Sequence, residues 1–383
     1  MLHARVQGVL HRIFLRRSAA CRCLTRTGSA DYGRPLIGGL AVQMSKEAGI
    51  GGTSRQSTEV VAVTGASGVL GRNLLHRMVC NDRYRRIVAL DLKKPPLRHE
   101  RIVYHHVDLT DPGSYDLIST CLKSESVDTL VHLAFLSEPT PRLAWAHELE
   151  VIGTLRLFDA CAALRVRKVI MLSTTCCYGP HPDNPNYLTE EQPLRGLPSC
   201  GYLNDKIEAE RQLDRYKKDN PRTVVTCLRM APLIGPSSRN WVSKYFSLPA
   251  PITLAGHDPL VQLLHESDAV EALTLALEKD VPGTFNVVPE GVLPLSEVFS
   301  ICERRPVPLP ESLARPWVSA LWLGQILRLP PAMLAFARYL CVADCRRAAD
   351  EMGFAALHSS REAVHDFAAG FRRKRPWTRG FNR

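Results

Sequence analysis

The sequence predicts an α/β fold in which a doubly wound parallel sheet carries a smaller, discontinuous lobe toward the C-terminus. Three observations predict it. From Glu59 onward, short apolar runs rich in β-branched residues alternate with longer stretches of helical period, the pattern of a parallel sheet built with crossover helices. The first run, Glu59-Val60-Val61-Ala62-Val63-Thr64, passes directly into Gly65-Ala66-Ser67-Gly68-Val69-Leu70-Gly71. The second, Ile87-Val88-Ala89-Leu90, ends in Asp91, about 20 residues past the last glycine.

Each part of the glycine turn has a physical use. Gly65 permits the tight turn, Gly68 leaves the backbone room to approach a pyrophosphate, and Gly71 lets the helix predicted over 68–80 pack closely on the strand. That helix offers free N–H groups at its N-terminus to an anion. Ser67, Val69 and Leu70, set between the glycines, complete the candidate cofactor-binding turn. Asp91 stands where a carboxylate accepts both ribose hydroxyls of NAD. It would repel the 2′-phosphate of NADP, a preference that Lys93 and Lys94 soften, so NAD is the expected cofactor and NADP the less favoured one. The spacing differs from Gly-x-Gly-x-x-Gly, and a glycine turn alone is a weak signal.

Further on, Tyr202-Leu203-Asn204-Asp205-Lys206 sets a phenol and an ammonium four residues apart on one helix face. With Thr64-Gly65-x-x-Gly68-x-x-Gly71 and Asp91, this resembles the extended short-chain dehydrogenase/reductase family, the NAD-dependent epimerase/dehydratase group, over roughly residues 59–370. The resemblance implies a Rossmann domain over 59–235, completed by 261–290, and a substrate-binding lobe from 236–260 and 291–370.

The remaining elements follow in order. Val103–Val107 reads as the third strand, followed by Asp108-Leu109, which in the family reaches the adenine; Asp108 could equally cap the helix after Thr110-Asp111-Pro112. Val127–Ala134 resembles the family's fourth strand, whose end, here Ala134, passes under the dinucleotide; His132 within it reads as a packed core histidine. A helix predicted from about Trp145 to Ala163 contains Glu150-Val151-Ile152-Gly153-Thr154, similar to the family's Asn-Val-x-Gly-Thr. Glu150 replaces the asparagine that bridges to the catalytic lysine through water; a carboxylate could also hold that water. Val169–Leu172 is the fifth strand, and Thr174 just beyond it falls on the family's catalytic Ser/Thr, with Ser173 the fallback. Thr175-Cys176 stand where sugar-nucleotide dehydratases carry Asp-Glu, which disfavours dehydration.

Chemistry is expected at Thr174, Tyr202 and Lys206. The ammonium beside the phenol, joined by the nicotinamide cation, would lower the tyrosine from its ordinary value of about 10. Tyr202 would take a hydroxyl proton while hydride leaves the same carbon for NAD, Thr174 would hold the substrate oxygen, and Lys206 would also bind the nicotinamide ribose, with Tyr202 beside it.

Beyond the sixth strand, Val224–Arg229, Pro232 replaces the asparagine that often contacts a nucleotide sugar's diphosphate. Leu264–Val270 and Gly283–Val287 read as scaffold, with His265 a candidate substrate contact. Between Pro310 and Ala343 two apolar stretches, Trp317–Leu323 and Ala332–Phe336, are too short to cross a bilayer; they could cover a greasy pocket, lie on a membrane surface or pack as ordinary helices. The expected function is oxidoreduction of a hydrophobic secondary alcohol or ketone, similar to the family's 3β-hydroxysteroid dehydrogenase branch. Alternatives are a nucleotide-sugar 4-epimerase and a non-catalytic protein that senses NAD. Homodimers are common in the family and are a further expectation.

Composition bounds this reading. The 383 residues are 45% hydrophobic and carry a formal charge of +11, but the charge sits at the ends: residues 1–58 hold nine Lys/Arg against two acids, and 371–383 hold six against none. The near-neutral body between them has no electrostatic footprint for nucleic acid. The twelve cysteines lack paired metal-ligand spacing, so no metal and a reducing, cytoplasmic setting are expected. Residues 1–58, read as a disordered basic extension, match a mitochondrial presequence and equally a translated upstream region with Met44 as the true start; 371–383 read as a basic tail.

Overall fold

The computed structural model describes residues 59–374; the basic extension and residues 375–383 of the expected tail lie outside the described residues. The run after Glu59 forms β1 (Glu59–Thr64), and the glycine turn delivers the chain into α1 (Val69–Val79). Then follow β2 (Tyr84–Asp91), β3 (Ile102–His106), α2 (Ser114–Ser124) and β4 (Thr129–His132). The predicted single helix after β4 is in fact composite: α3 (Leu143–His147), a π-helical turn (Glu148–Ile152) and α4 (Gly153–Ala163). β5 (Lys168–Thr174), α5 (Gly201–Asp219), β6 (Val224–Met230), α6 (Trp241–Ser247), α7 (Glu266–Glu278) and β7 (Gly283–Val287) complete the sheet region.

The seven strands lie in the order β7-β6-β5-β4-β1-β2-β3, every pair parallel. The order reverses between β1 and β4, the switch point at which an open α/β sheet leaves a crevice at its strands' C-terminal ends. Strand alternation sends Val61 and Val63 of β1 to one face and Val60 and Ala62 to the other. On the first face they meet Leu74, Leu75 and Met78 of α1 and Ala269, Ala272, Leu273 and Ala276 of α7; on the second, Ile118, Leu122, Leu157, Phe158 and Leu213. Burying each such leucine contributes about 1.5–3 kcal/mol, which makes both layers strongly specified.

A third cluster forms the lobe, joining Val242 and Phe246 of α6 to α8 (Leu295–Ile301), α9 (Glu311–Leu323) and α10 (Ser360–Lys374) through Val298, Phe299, Ala314, Val318, Val364 and Phe367. The helix α10 carries the chain through 371–374, the start of the expected tail. The stretch 341–356, expected in the lobe, packs instead on the first face of the sheet through Ala343, Ala348, Met352 and Phe354, because Ala343 bridges to Leu188 beside that layer. Trp317 and Leu323 of α9 are 61% and 80% exposed, so those two side chains cover nothing, whereas Val318 between them and Met333 and Leu334 in the 3-10 turn Pro331–Ala337 are buried. No helix among the described residues is long and apolar enough to cross a membrane.

Candidate active site

The glycine turn is built so that backbone approaches backbone. Gly65 has φ +65°, and a Cβ there would stand 2.7 Å from the carbonyl oxygen of Leu133 and 2.9 Å from the Ala134 nitrogen, at the end of β4. A Cβ at Gly71 would overlap the Gly65 carbonyl and lie 2.7 Å from the Ala66 Cα. Gly68 is the N-cap of α1, without a side-chain cap, and its N–H donates back to the Gly65 carbonyl at 3.0 Å. The turn therefore leaves the first helical N–H groups to an anion. Asp91, at the end of β2, supports it from below: Oδ2 accepts the Ser67 N–H at 2.8 Å and Oδ1 accepts the Lys93 N–H at 3.0 Å. A tight cradle, an open helix N-terminus and an acid at the second strand's end fit a dinucleotide.

Asp108 and Leu109 follow β3. Asp108 Oδ1 accepts both the N–H and the hydroxyl of Thr110, closing a local turn, while the N-cap of α2 is Gly113, so Asp108 is not that helix's cap. Leu109 is buried with its Cβ against Gly153.

Thr174 ends β5, where its hydroxyl accepts the Cys176 N–H at 3.3 Å and turns the chain away from the sheet. Tyr202 and Lys206 lie one turn apart on α5, with the ammonium 4.7 Å from the center of the tyrosine ring and 5.0 Å from that of Phe135. The expected bridging water has no place between Lys206 and Glu150. The π turn aims Glu150 inward, fully buried, and its Oε1 accepts directly from Lys206 Nζ at 2.8 Å and from the Leu136 N–H at 2.7 Å. Lys206 also donates to the Leu136 carbonyl at 3.1 Å. The ammonium thus has a carboxylate partner, and the expected lowering of the phenol is reversed. Burial first, then the Glu150 charge, holds Tyr202 well above the ordinary tyrosine value. Burial also pushes the Glu150 carboxyl up, against the pull of Lys206.

Beneath this pair runs a buried hydrogen-bonded chain. Thr154 donates to the Glu150 carbonyl at 2.6 Å, so it accepts from His132 Nε2 at 3.0 Å, which leaves Nδ1 to accept the Thr64 hydroxyl at 2.7 Å. His132 is thereby a neutral core histidine, lowered to about 3 by burial and by Lys206. Ser173 is not available as the fallback for Thr174, because its hydroxyl donates to Glu210. Glu210 in turn takes three hydrogen bonds from Arg229, at 2.7, 2.9 and 3.3 Å, and Arg229 donates to the Tyr178 hydroxyl at 2.9 Å. His265 caps α7 by accepting the Ser267 N–H and stacks on His358, outside the cleft.

Gly65, Ser67, Gly68, Val69, Leu70, Gly71, Thr174, Tyr202 and Lys206 together wall a cleft of about 420 Å³; Asp91, Asp108, Leu109 and Ala134 are not among its lining residues. Pro232 is in it, and so are Ser238, Arg239, Asn240 and Trp241, which sequence reasoning passed over. Their only signal was position, just past the Gly235-Pro236 turn that opens the lobe. Cys176, Pro232, Trp241 and Val242 are shared with a second, small cavity of about 70 Å³, lined besides Gln262 by side chains such as Tyr245, Phe246, Met333 and Phe336.

A cleft of this construction, at the switch point of a doubly wound sheet, defines a nucleotide-dependent α/β protein. Residues 61–287 match the NAD dependent epimerase/dehydratase family, and the chain belongs to that family. The protein Rv0501 of Mycobacterium tuberculosis is 33% identical over 323 residues, 82% of this chain and 85% of its own. UDP-glucose 4-epimerase 4 of Oryza sativa subsp. japonica is 29% identical over 211 residues, 50% of this chain and 52% of its own. Among solved structures, MoeE5 in complex with UDP-glucuronic acid and NAD superposes with a TM-score of 0.64 at 23% identity, covering 82% of this chain and 99% of that one.

Proposed function

We propose that this protein is an NAD-dependent oxidoreductase of the epimerase/dehydratase type, acting on a secondary alcohol or ketone with a hydrophobic carbon frame. The reading is carried by one observation: the glycine turn and the Thr174, Tyr202 and Lys206 side chains wall the same cleft. NAD, when bound, accepts or supplies hydride at the substrate carbon. Thr174 and Tyr202 hold the substrate oxygen, and Tyr202 exchanges a proton with it. Lys206, pinned by Glu150 and the Leu136 carbonyl, fixes the tyrosine ring and presents its charge to the cofactor's ribose. Pro232 in the wall and the adjoining apolar cavity support a hydrophobic substrate end.

A nucleotide-sugar 4-epimerase is the second reading. Arg239 lines the cleft, a cation suited to a diphosphate, and a neighbouring cavity of about 520 Å³ that shares it adds Lys244 and Arg328, both paired with Glu138. The rice relative's name points the same way.

The test supplies the purified chain with NAD and two substrate panels. Stoichiometric release of NADH on sterols or long-chain secondary alcohols supports the dehydrogenase; interconversion of UDP-sugars without NADH release supports the epimerase. In either case Tyr202→Phe should lower kcat by about 10²–10⁴-fold while NAD still binds. A wild type that binds NAD and turns over neither panel would remove both readings in favour of a non-catalytic NAD-binding protein.

A further inference from the structure

Glu150 is an unusual occupant for the floor of this site. It is a carboxylate with no exposed surface, set on a π-helical turn, a local distortion that re-aims side chains and recurs at functional positions. One oxygen is fully engaged by Lys206 and the Leu136 N–H, and the other, Oε2, is buried without a hydrogen-bond partner. Burying an ion pair so incompletely satisfied is costly, and stability alone does not account for it.

Its effect on the cleft follows from the charges around it. Lys206 and Asp205 face Glu150 from α5, and His132 of β4, a neutral ring, reaches only the Thr154 hydroxyl one turn beyond it. Tyr202 is faced by Lys206, by Glu150 and by the thiols of Cys176, Cys177 and Cys200, whose own burial keeps them uncharged. An amide at position 150 would leave the ammonium as a net positive charge beside the phenol. The carboxylate turns it into a neutral pair.

We propose that Glu150 is a built-in counterion for Lys206, a positioning residue that keeps the Tyr202 hydroxyl protonated and sets the site to reduce a ketone rather than oxidise an alcohol near neutral pH. The inference rests on the oxidoreductase reading above and gives it a direction. In that direction the carbonyl carbon receives hydride, two electrons from reduced nicotinamide, and the carbonyl oxygen takes the Tyr202 proton. The ketone becomes the alcohol, the dinucleotide is oxidised, and the phenolate left behind is reprotonated from solvent.

The decisive measurement needs no turnover. Phenolate absorbance is titrated in the cofactor-free full chain, in Glu150→Gln, Glu150→Asn and Glu150→Asp, each against its Tyr202→Phe counterpart so that only Tyr202 is read. Wild type and Glu150→Asp should show no Tyr202 phenolate below a pH of about 10. The two amide variants should show it at least about one unit lower. Either amide variant suffices should the other fail to fold. With substrate, the pH profile of kcat for alcohol oxidation should move by the same amount in the amide variants, and their ratio of kcat for reduction to kcat for oxidation, each at saturation and neutral pH, should fall about tenfold. Identical phenolate titrations in all four proteins, or a uniform loss of kcat with no shift in pH profile, would overturn the role of Glu150. Failure of every substrate would instead count against the oxidoreductase reading, with the titration still deciding the counterion.

Discussion

The carboxylate of Asp91 grips the glycine turn by its backbone, with Oδ2 2.8 Å from the Ser67 nitrogen across the gap between β2 and α1. The acid therefore shapes the cradle as well as presenting charge at its rim. Asp91→Asn keeps the size but loses the charge, and its single carbonyl oxygen can accept only one of the N–H groups of Ser67 and Lys93. Hydrogen bonds to charged groups contribute about 1.5–3 kcal/mol, so calorimetric Kd for NAD should rise roughly 10–100-fold. NADP should lose less, because the repulsion of its 2′-phosphate disappears while Lys93 and Lys94 remain. An unchanged NAD affinity would take Asp91 out of the cofactor site.

Two glycines three residues apart should fail in different ways. A methyl group at Gly71 meets only backbone, the Gly65 carbonyl and Ala66, and neither can give way. Gly71→Ala should lower unfolding free energy by about 3 kcal/mol in urea titrations. Gly68 has an ordinary extended conformation, and its added methyl would meet only the Gly65 carbonyl oxygen, at 3.1 Å. Gly68→Ala should stay within about 1 kcal/mol of wild type yet lose dinucleotide binding, because the methyl occupies the cleft. Equal stability loss in both would refute this division of labour.

Arg229 and Glu210 form a second buried ion pair, with Ser173 and Tyr178 attached to it. Removing one member strands a charge in the interior. Glu210→Ala should cost about 3–5 kcal/mol, and the double change Glu210→Leu with Arg229→Met should recover part of that loss. Additive losses in the double variant would show that the two residues are not coupled.

His132 should make the fold sensitive to acid. Its folded value is lowered to about 3 from an ordinary 6.5, so between those pH values the unfolded chain holds a proton that the folded protein does not. Stability contributed by keeping His132 neutral is thus present above the unfolded value and declines as pH falls toward the folded one, by up to about 1.4 kcal/mol per pH unit. The difference in unfolding free energy between wild type and His132→Gln, followed from neutral to acid pH, isolates this ring from the other titrating groups. A flat difference would mean that the imidazole charges in place.

The glycine turn, the strand series and the Tyr202–Lys206 spacing were legible because each is local: a period, a turn residue or a helical repeat reports it within a dozen positions. Glu150 was visible as a departure from Asn-Val-x-Gly-Thr, but its contact with Lys206 joins residues 56 apart in sequence, and the π turn that makes the contact has no propensity signature. The expected lowering of Tyr202 counted the Lys206 charge but neither the burial of the phenol, the larger cause, nor the Glu150 charge, and both depend on the placement of distant residues. The walls contributed by Ser238–Trp241 were missed because polar residues after a Gly-Pro turn look like any loop. The return of 341–356 to the sheet was hidden because its small apolar residues alternate with charges such as Asp344, Arg346 and Arg347, a mixture that suits the edge of either core.

That return has a practical consequence for anyone who would graft a new substrate lobe onto this scaffold. Ala343 is joined to Leu188, Asn184 donates to the Leu340 carbonyl, and the Gln262 amide both donates to the Ala343 carbonyl and accepts its N–H. The chain leaves the lobe, stitches itself to the sheet, and only then goes back to form α10. A chimera cut at a single late boundary would strip the sheet of part of its covering, so the donor segment must end before about residue 340 and resume after 356, leaving the host's own strip in place between the two seams.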